Sequence, residues 1–249
     1  MKFSVNVAAC LLLSVCGASA VFAGEAAQPQ DPRAVEVLNN MADYTASLDK
    51  FVLTGESHRD ARLDAGLIVS NPVEITVKID RPSSLHLSAF DGLNTKHIYV
   101  DDGKLTVYGT EKNYYANASV PRDIAKGMRF ALEELEIDAP LGDLLFAEGA
   151  LNKLLDGTEV LYLTDKSRIS GVDCHHIAFR GAEVDFQLWV EEGAEPAPRK
   201  MLMTMKWEGG SPRYSAVLNW EPVSEFESNT FDFKPPEGAM EIQFIGTEE

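Results

Sequence analysis

Apolar and polar residues alternate through most of the chain after residue 51, and this period of two constrains the fold more than any other feature. Ile75, Val77 and Ile79, for example, alternate with polar or charged neighbours. Successive side chains of a strand point to opposite faces, so each such segment predicts a half-buried strand. Residues 51–117 and 159–245 predict about ten or eleven strands, and one antiparallel sheet of that size has to curve strongly.

Two stretches follow a helical period instead. Asp31 and Pro32 predict the start of a helix over about residues 32–48, where apolar residues recur three or four positions apart. Alternation breaks again at about residues 121–157, which show the same spacing before Pro140 and are rich in leucine after it. We therefore expect a mainly β (α+β) domain whose N-terminal helix and mid-chain helical insertion cover the concave face of the sheet.

The N-terminus has the pattern of a secretory signal peptide. Lys2 precedes an apolar stretch over residues 3–16, and small residues then lead to two cleavage positions, Ala20 and Ala23. We expect a signal peptide over residues 1–23 and a single mature domain over residues 24–249. A lipid anchor is the alternative, since Cys10 and Cys16 follow small or apolar residues, but neither cysteine has both a proper hydrophobic region and small residues before it.

Cleavage would leave a single cysteine, Cys174, and therefore no intrachain disulfide in the mature chain. An exported chain without disulfides fits a bacterial periplasm, which is the expected localisation. Acidic residues outnumber basic ones by 39 to 22. The resulting negative field repels phosphate backbones, so nucleic acid is not expected as a partner.

No arrangement of residues in the sequence indicates catalysis. Residues 173–176 (DCHH) include the ligand types that zinc prefers, but neighbours in a strand point to opposite faces, so at most two of them share a face. The remaining histidines stand singly in other segments, at His58, His86 and His97. A nucleophile elbow and a phosphate-binding glycine loop are both missing. We expect a protein that is not an enzyme and that holds neither a metal nor a cofactor.

One predicted strand stands out because its alternate residues are all apolar and mostly methionine. Unbranched thioether side chains adapt to irregular shapes, so such a stripe suits a plastic apolar cavity. Neighbouring strands would extend the same wall, and the complete set of ligand-cavity candidates is Phe186, Leu188, Met201, Met203, Met205, Trp207, Leu218 and Trp220. The alternative is an ordinary core beneath the helices, which the same pattern fits.

Several segments resemble a family of predicted periplasmic proteins of unknown function. They are residues 170–180 (SGVDCHHIAFR), 185–190 (DFQLWV), 198–200 (PRK) and 231–239 (FDFKPPEGA), with 101–108 (DDGKLTVY) and 138–145 (DAPLGDLL) upstream. That family is similar in architecture to the outer-membrane lipoprotein carrier (lipoprotein localisation factor) superfamily, in which a half-open barrel closed by helices holds acyl chains. The resemblance implies a half-open barrel here and brings no catalytic residues.

The patterns and the resemblance together predict a periplasmic, non-enzymatic protein that holds a lipid, an acyl chain or a lipidated protein in an apolar cavity. Its expected partners are a hydrophobic small molecule, a lipid or a lipoprotein. The alternative is an envelope regulatory or scaffold protein that binds another envelope protein through the same fold, without a ligand. A continuous cavity beside Met203 would favour the first function, and a packed interior with an exposed apolar patch would favour the second.

Overall fold

The computed structural model describes residues 30–137, 141, 158–206 and 210–244. The predicted signal peptide and most of the later half of the predicted helical insertion lie outside the described residues. The elements, in chain order, are α1 (Pro32–Ser47), β1 (Lys50–Arg62), β2 (Ile68–Asp80), β3 (Ser84–Phe90), β4 (Thr95–Asp101), β5 (Lys104–Gly109), β6 (Tyr114–Ser119), α2 (Ile124–Leu135), β7 (Thr158–Leu163), β8 (Ser167–Ile169), β9 (Val172–Gly181), β10 (Val184–Glu191), β11 (Pro198–Met205), β12 (Arg213–Pro222) and β13 (Met240–Ile242).

The strands form one large curved sheet that does not close. Their order is β13-β6-β5-β4-β3-β2-β1-β12-β11-β10-β9-β7, and β8 pairs with β9 off this path. Paired strands are antiparallel, apart from β13, which runs parallel to β6. The long strand β1 joins the two halves because it pairs with both β2 and β12. The predicted mainly β fold with a half-open, strongly curved sheet is confirmed.

Residues 165–171 (DKSRISG) lie between two alternating segments, and their polar residues and glycine predict a turn; the structure instead has a short strand, β8, within them. Ser167–Ile169 pairs antiparallel with the start of β9. Ser170 and Gly171 have φ angles of 48° and 86°, so they make the tight turn that returns the chain onto β8. The turn prediction is therefore correct for Ser170 and Gly171. The three residues before them form a strand because they pair with β9, and their own sequence does not indicate this.

Helix α1 begins where its capping residues predict. The Asp31 carboxylate accepts a hydrogen bond from the Arg33 backbone N–H at 3.0 Å, and Pro32 occupies the first turn, where its missing N–H is not needed. Ala34, Leu38 and Met41 form its buried stripe. The helix contacts β7 and β10, so it lies against the C-terminal half of the sheet.

Helix α2 is the described part of the predicted insertion. Asp123 caps it by accepting a hydrogen bond from the Lys126 N–H at 3.0 Å. The Ile124 N–H donates to the Pro82 carbonyl at 2.9 Å, which ties the start of α2 to the turn between β2 and β3. Within the described residues, neither helix has both the length and the apolar character needed to span a bilayer.

The buried core lies on one face of the sheet, called here the inner face; the opposite face is the outer face. The end with the β2–β3 turn is called the lower end, and the end with the β1–β2 hairpin the upper end. Register aligns Leu53, Val77, Leu87 and Ile98 across β1 to β4, and all four are fully buried. Buried residues of both helices belong to the same apolar cluster. One continuous core therefore joins the sheet and the helices.

Candidate functional site

The strand register brings the methionine stripe together with two aromatic residues in one row across four strands. Phe179 of β9 lies opposite Phe186 of β10, Phe186 opposite Met203 of β11, and Met203 opposite Tyr214 of β12. These four residues are called the upper row. The rings of Phe179 and Phe186 meet edge to face with centroids 5.5 Å apart, a favourable aromatic geometry. The row forms a continuous apolar strip on the inner face.

A second row lies two residues closer to the lower end and differs in burial. This lower row consists of Ile177, Leu188, Met201 and Ala216, whose exposed fractions are 0, 2, 6 and 1%. In the upper row Phe179 is buried, whereas Phe186, Met203 and Tyr214 are only partly buried and pack against the edge of the core. Burial therefore falls within a single strand, between Met201 and Met203.

The remaining ligand-cavity candidates divide in the same way. Leu218 and Trp220 are buried, and Trp220 stacks on Phe51 with centroids 5.1 Å apart while its Nε1–H donates to the Pro198 carbonyl at 2.9 Å. Met205 is partly buried at the upper end of β11. Trp207 lies outside the described residues. Of the predicted candidates, Phe186, Met203 and Met205 are thus partly exposed, and Leu188, Met201, Leu218 and Trp220 lie in the core.

Two pockets formed by described residues lie away from these candidates. A pocket of about 370 Å³ lies between α1 and the β10–β11 loop, with Tyr44 and Asn40 on one side and His175 and Glu191 on the other. Burial, and then the nearby carboxylates of Glu195 and Glu191, raise the pKa of the Tyr44 hydroxyl. A second pocket of about 260 Å³ lies on the outer face around His58, Lys200 and Arg213. None of the described ligand-cavity candidates lines either pocket.

The residues of the DCHH segment have separate partners. His176 stacks on Trp189 with centroids 4.2 Å apart and is 3.0 Å from the Gln187 side-chain oxygen, whereas His175 Nδ1 lies 3.9 Å from Glu192 Oε1. Cys174 is fully buried, and burial raises the pKa of its thiol. Within the described residues, no group of three or more potential metal ligands is placed to hold an ion. The segment is built as packing and hydrogen bonding within the sheet.

The sequence interpretation missed a cluster of rings on the outer face. His86 and His97 are not isolated, because the β3–β4 register brings His86 Nε2 within 3.1 Å of His97 Nδ1. His86 also stacks on Tyr99 with centroids 4.1 Å apart. Phe233, from the segment after β12, lies against Tyr99 and two further tyrosines, Tyr108 and Tyr115. The hairpin spacing was the available signal: residues 86 and 97 are diagonal neighbours once the hairpin register is known.

A family model described as "Predicted periplasmic protein (DUF2092)" matches residues 34–245. This confirms the family resemblance and the expected periplasmic localisation. No curated protein matches the sequence significantly.

Solved structures of similar shape include the lipoprotein LppX of Mycobacterium tuberculosis, with 10% identity and a TM-score of 0.48 over 80% of this chain and 100% of that one. LprF of Mycobacterium bovis has 12% identity and a TM-score of 0.48 over 86% of this chain and 100% of its own. A LolA superfamily protein of Nitrosomonas europaea has 11% identity and a TM-score of 0.40 over 80% of this chain and 97% of that chain.

Proposed function

Because the chain belongs to the DUF2092 family of predicted periplasmic proteins, we propose that it is a periplasmic, non-enzymatic binding protein that holds an acyl chain against the upper inner face of its sheet. The acyl chain belongs to a lipid or to a lipidated protein. The binding surface is the upper row, flanked by Met205.

The observation that carries this proposal is the change in burial along β11. Met201 is 6% exposed and belongs to the core, whereas Met203, two residues further along the same face, is only partly buried. Phe186 and Tyr214 on the adjacent strands share this partial burial. These aromatic and thioether side chains form a partly exposed strip on the inner face. Such a strip is suited to an apolar ligand of variable shape.

Such a ligand needs no charged contact to bind. Each acyl methylene that leaves water contributes about 0.8 kcal/mol, so a chain of ordinary length gains enough from burial alone. The proposal therefore accounts for a binding protein whose sequence carries no recognisable polar motif.

The alternative function is that of an envelope scaffold protein that binds another protein. Its support is a pair of exposed leucines at the β1–β2 hairpin. Leu63 and Leu67 are 47 and 61% exposed, and they are neighbours, since the Leu63 N–H donates to the Leu67 carbonyl at 2.8 Å. Adjacent apolar side chains at that exposure are typical of a contact surface.

Binding of a fluorescent fatty-acid analogue tests the proposal directly. We expect saturable binding by the wild-type protein, and Met203→Gln should weaken it about tenfold or more, because a polar amide replaces an apolar contact. Leu202→Gln is the matched control, since Leu202 is the neighbouring partly buried residue on the outer face, and it should leave the affinity unchanged.

Protein purified from its host provides an independent measurement. Native mass spectrometry followed by organic extraction should recover a bound lipid or lipidated polypeptide. Absence of saturable probe binding, or equal weakening by the two glutamine variants, would refute the acyl-chain proposal and favour the scaffold function.

A further inference from the structure

The segment between β12 and β13 crosses the outer face of the N-terminal half of the sheet. Residues 223–239 are called the strap. At its start the Val223 N–H donates to the Lys50 carbonyl at the beginning of β1, and just after its end the Met240 N–H donates to the Asn113 carbonyl before β6, both at 3.0 Å. Because β2 to β5 lie between β1 and β6, the strap spans these strands.

Phe233 is the main anchor of the strap. Its ring lies 5.5 Å from that of Tyr99, 5.4 Å from Tyr108 and 5.2 Å from Tyr115, measured between centroids. Beyond the strap, β13 has only three residues, and the Glu241 carboxylate accepts a hydrogen bond from the Asn117 amide at 2.7 Å. The Asn113 side-chain amide also donates to the Glu237 carbonyl of the strap at 3.2 Å, and Phe226 and Phe231 pack edge to face within the strap. A segment held by an aromatic cluster, a few hydrogen bonds and a short edge strand can open without unfolding the core.

A histidine pair lies beneath this anchor. Tyr99 contacts Phe233 and also stacks on His86, with an angle of 9° between the Tyr99 and His86 planes. His86 Nε2 and His97 Nδ1 are 3.1 Å apart, so one ring donates a hydrogen bond and the other accepts it. The pair can hold one extra proton and keep this bond. A second proton removes the acceptor and places two cations side by side under the tyrosines.

We propose that the strap is a pH-released latch: it stays on the outer face while the His86–His97 pair shares at most one added proton, and it leaves that face when both rings are protonated. Release exposes the tyrosines that Phe233 covers. The latch concerns the outer face and is independent of acyl-chain binding on the inner face.

The surroundings of the pair favour its uncharged form. Burial, followed by the charges of His97 and Lys78, lowers the pKa of His86 to about 4, and burial lowers the pKa of His97. Other titratable or charged groups on the elements around the pair include Glu74 and Asp80 on β2, Tyr99 on β4, Tyr108 on β5, Tyr115 on β6, Asp232 and Lys234 beside the anchor on the strap, and Glu241 on β13.

The direction of the pH effect follows from these shifts. A histidine exposed by release has a pKa near 6.5, above its value in the latched protein, so the released form binds more protons between about pH 6.5 and pH 4. The latched form therefore loses stability as the pH falls through that window. If release is coupled to the uptake of one proton, the equilibrium constant between the latched and released forms changes by at most about tenfold per pH unit.

Hydrogen exchange measured by mass spectrometry tests the latch in the full chain. Labelling times are scaled to the intrinsic exchange rate at each pH. Relative to amides of β1 and β2, amides of residues 223–240 should exchange about tenfold or more faster at about pH 4.5 than at about pH 7. Unchanged strap protection, or loss of protection in β1 and β2 at the same pH, would overturn the proposal.

Variants identify the sensor. His86→Gln combined with His97→Gln should reduce the pH effect on the strap to within about twofold. His58→Gln, at a partly exposed outer-face histidine, and Glu241→Gln should both preserve the effect. Loss of the effect in Glu241→Gln would make a carboxylate the sensor and overturn the proposal. Phe233→Ala keeps the histidines and should release the strap already at neutral pH, with β1 and β2 still protected; a strap that stays protected in this variant would also overturn it.

Discussion

Met201 and Met203 lie on the same face of β11, so comparing their alanine variants tests whether the inner face is filled core or partly open surface. Met201 is 6% exposed, whereas Met203 is only partly buried. Replacing a fully buried methionine by alanine costs about 2–5 kcal/mol, because apolar contacts are lost and a cavity remains. We expect Met201→Ala to fall in that range. Met203→Ala should cost about 1 kcal/mol, since part of its side chain is not packed in the folded state.

Urea unfolding separates the two variants, because the substitution and the strand are the same and only the position along the strand differs. With a slope of about 2–3 kcal/mol per molar, the midpoints should differ by about 0.3–2 M. The fatty-acid probe should show the opposite order, with weaker binding by Met203→Ala than by Met201→Ala. A loss of about 2–5 kcal/mol in both variants, together with no saturable probe binding by the wild-type protein, would show that the upper row is packed core, and we would then adopt the scaffold function.

Two further predictions concern packing elsewhere in the sheet. Gly55→Ala should lower the free energy of unfolding by about 2 kcal/mol or more, because a β-carbon there would collide with the Val217 carbonyl oxygen. Gly109→Ala is the control and should be nearly neutral, since no heavy atom lies within 4 Å of the added carbon. Equal urea midpoints for the two variants would contradict the close approach of β1 and β12. Cys174 should react slowly with a thiol reagent under native conditions and fully in urea, because it is buried and burial raises the pKa of its thiol. Rapid native labelling would contradict its burial.

Local sequence patterns were sufficient for most of the strands and for both described helices. The Asp102-Gly103 turn is an example: an Asp-Gly pair between two alternating segments predicts a tight hairpin, and both residues have the positive φ angles that it requires, 45° and 88°. The pairing of β1 with β12 is different, because it joins segments more than a hundred residues apart and depends on how the whole sheet curves. Strand β8 shows the same limit at short range, since three residues form a strand only where a partner is already in place.

The candidate site shows why alternation alone does not locate function in a sheet. A period of two assigns Met201 and Met203 to the same face, and it assigns them equally to a core or to a cavity. The burial of Met201 and Met203 differs because it depends on how far along β11 the rest of the structure packs against the inner face. Only the tertiary structure determines that distance. The His86–His97 pair follows the same rule on the outer face, since two histidines eleven positions apart become hydrogen-bonded neighbours only through the register of one hairpin. Position along the strand and cross-strand register therefore decide which residues of this sheet can bind a ligand or respond to pH, and tests of either function have to compare positions along one strand as well as opposite faces.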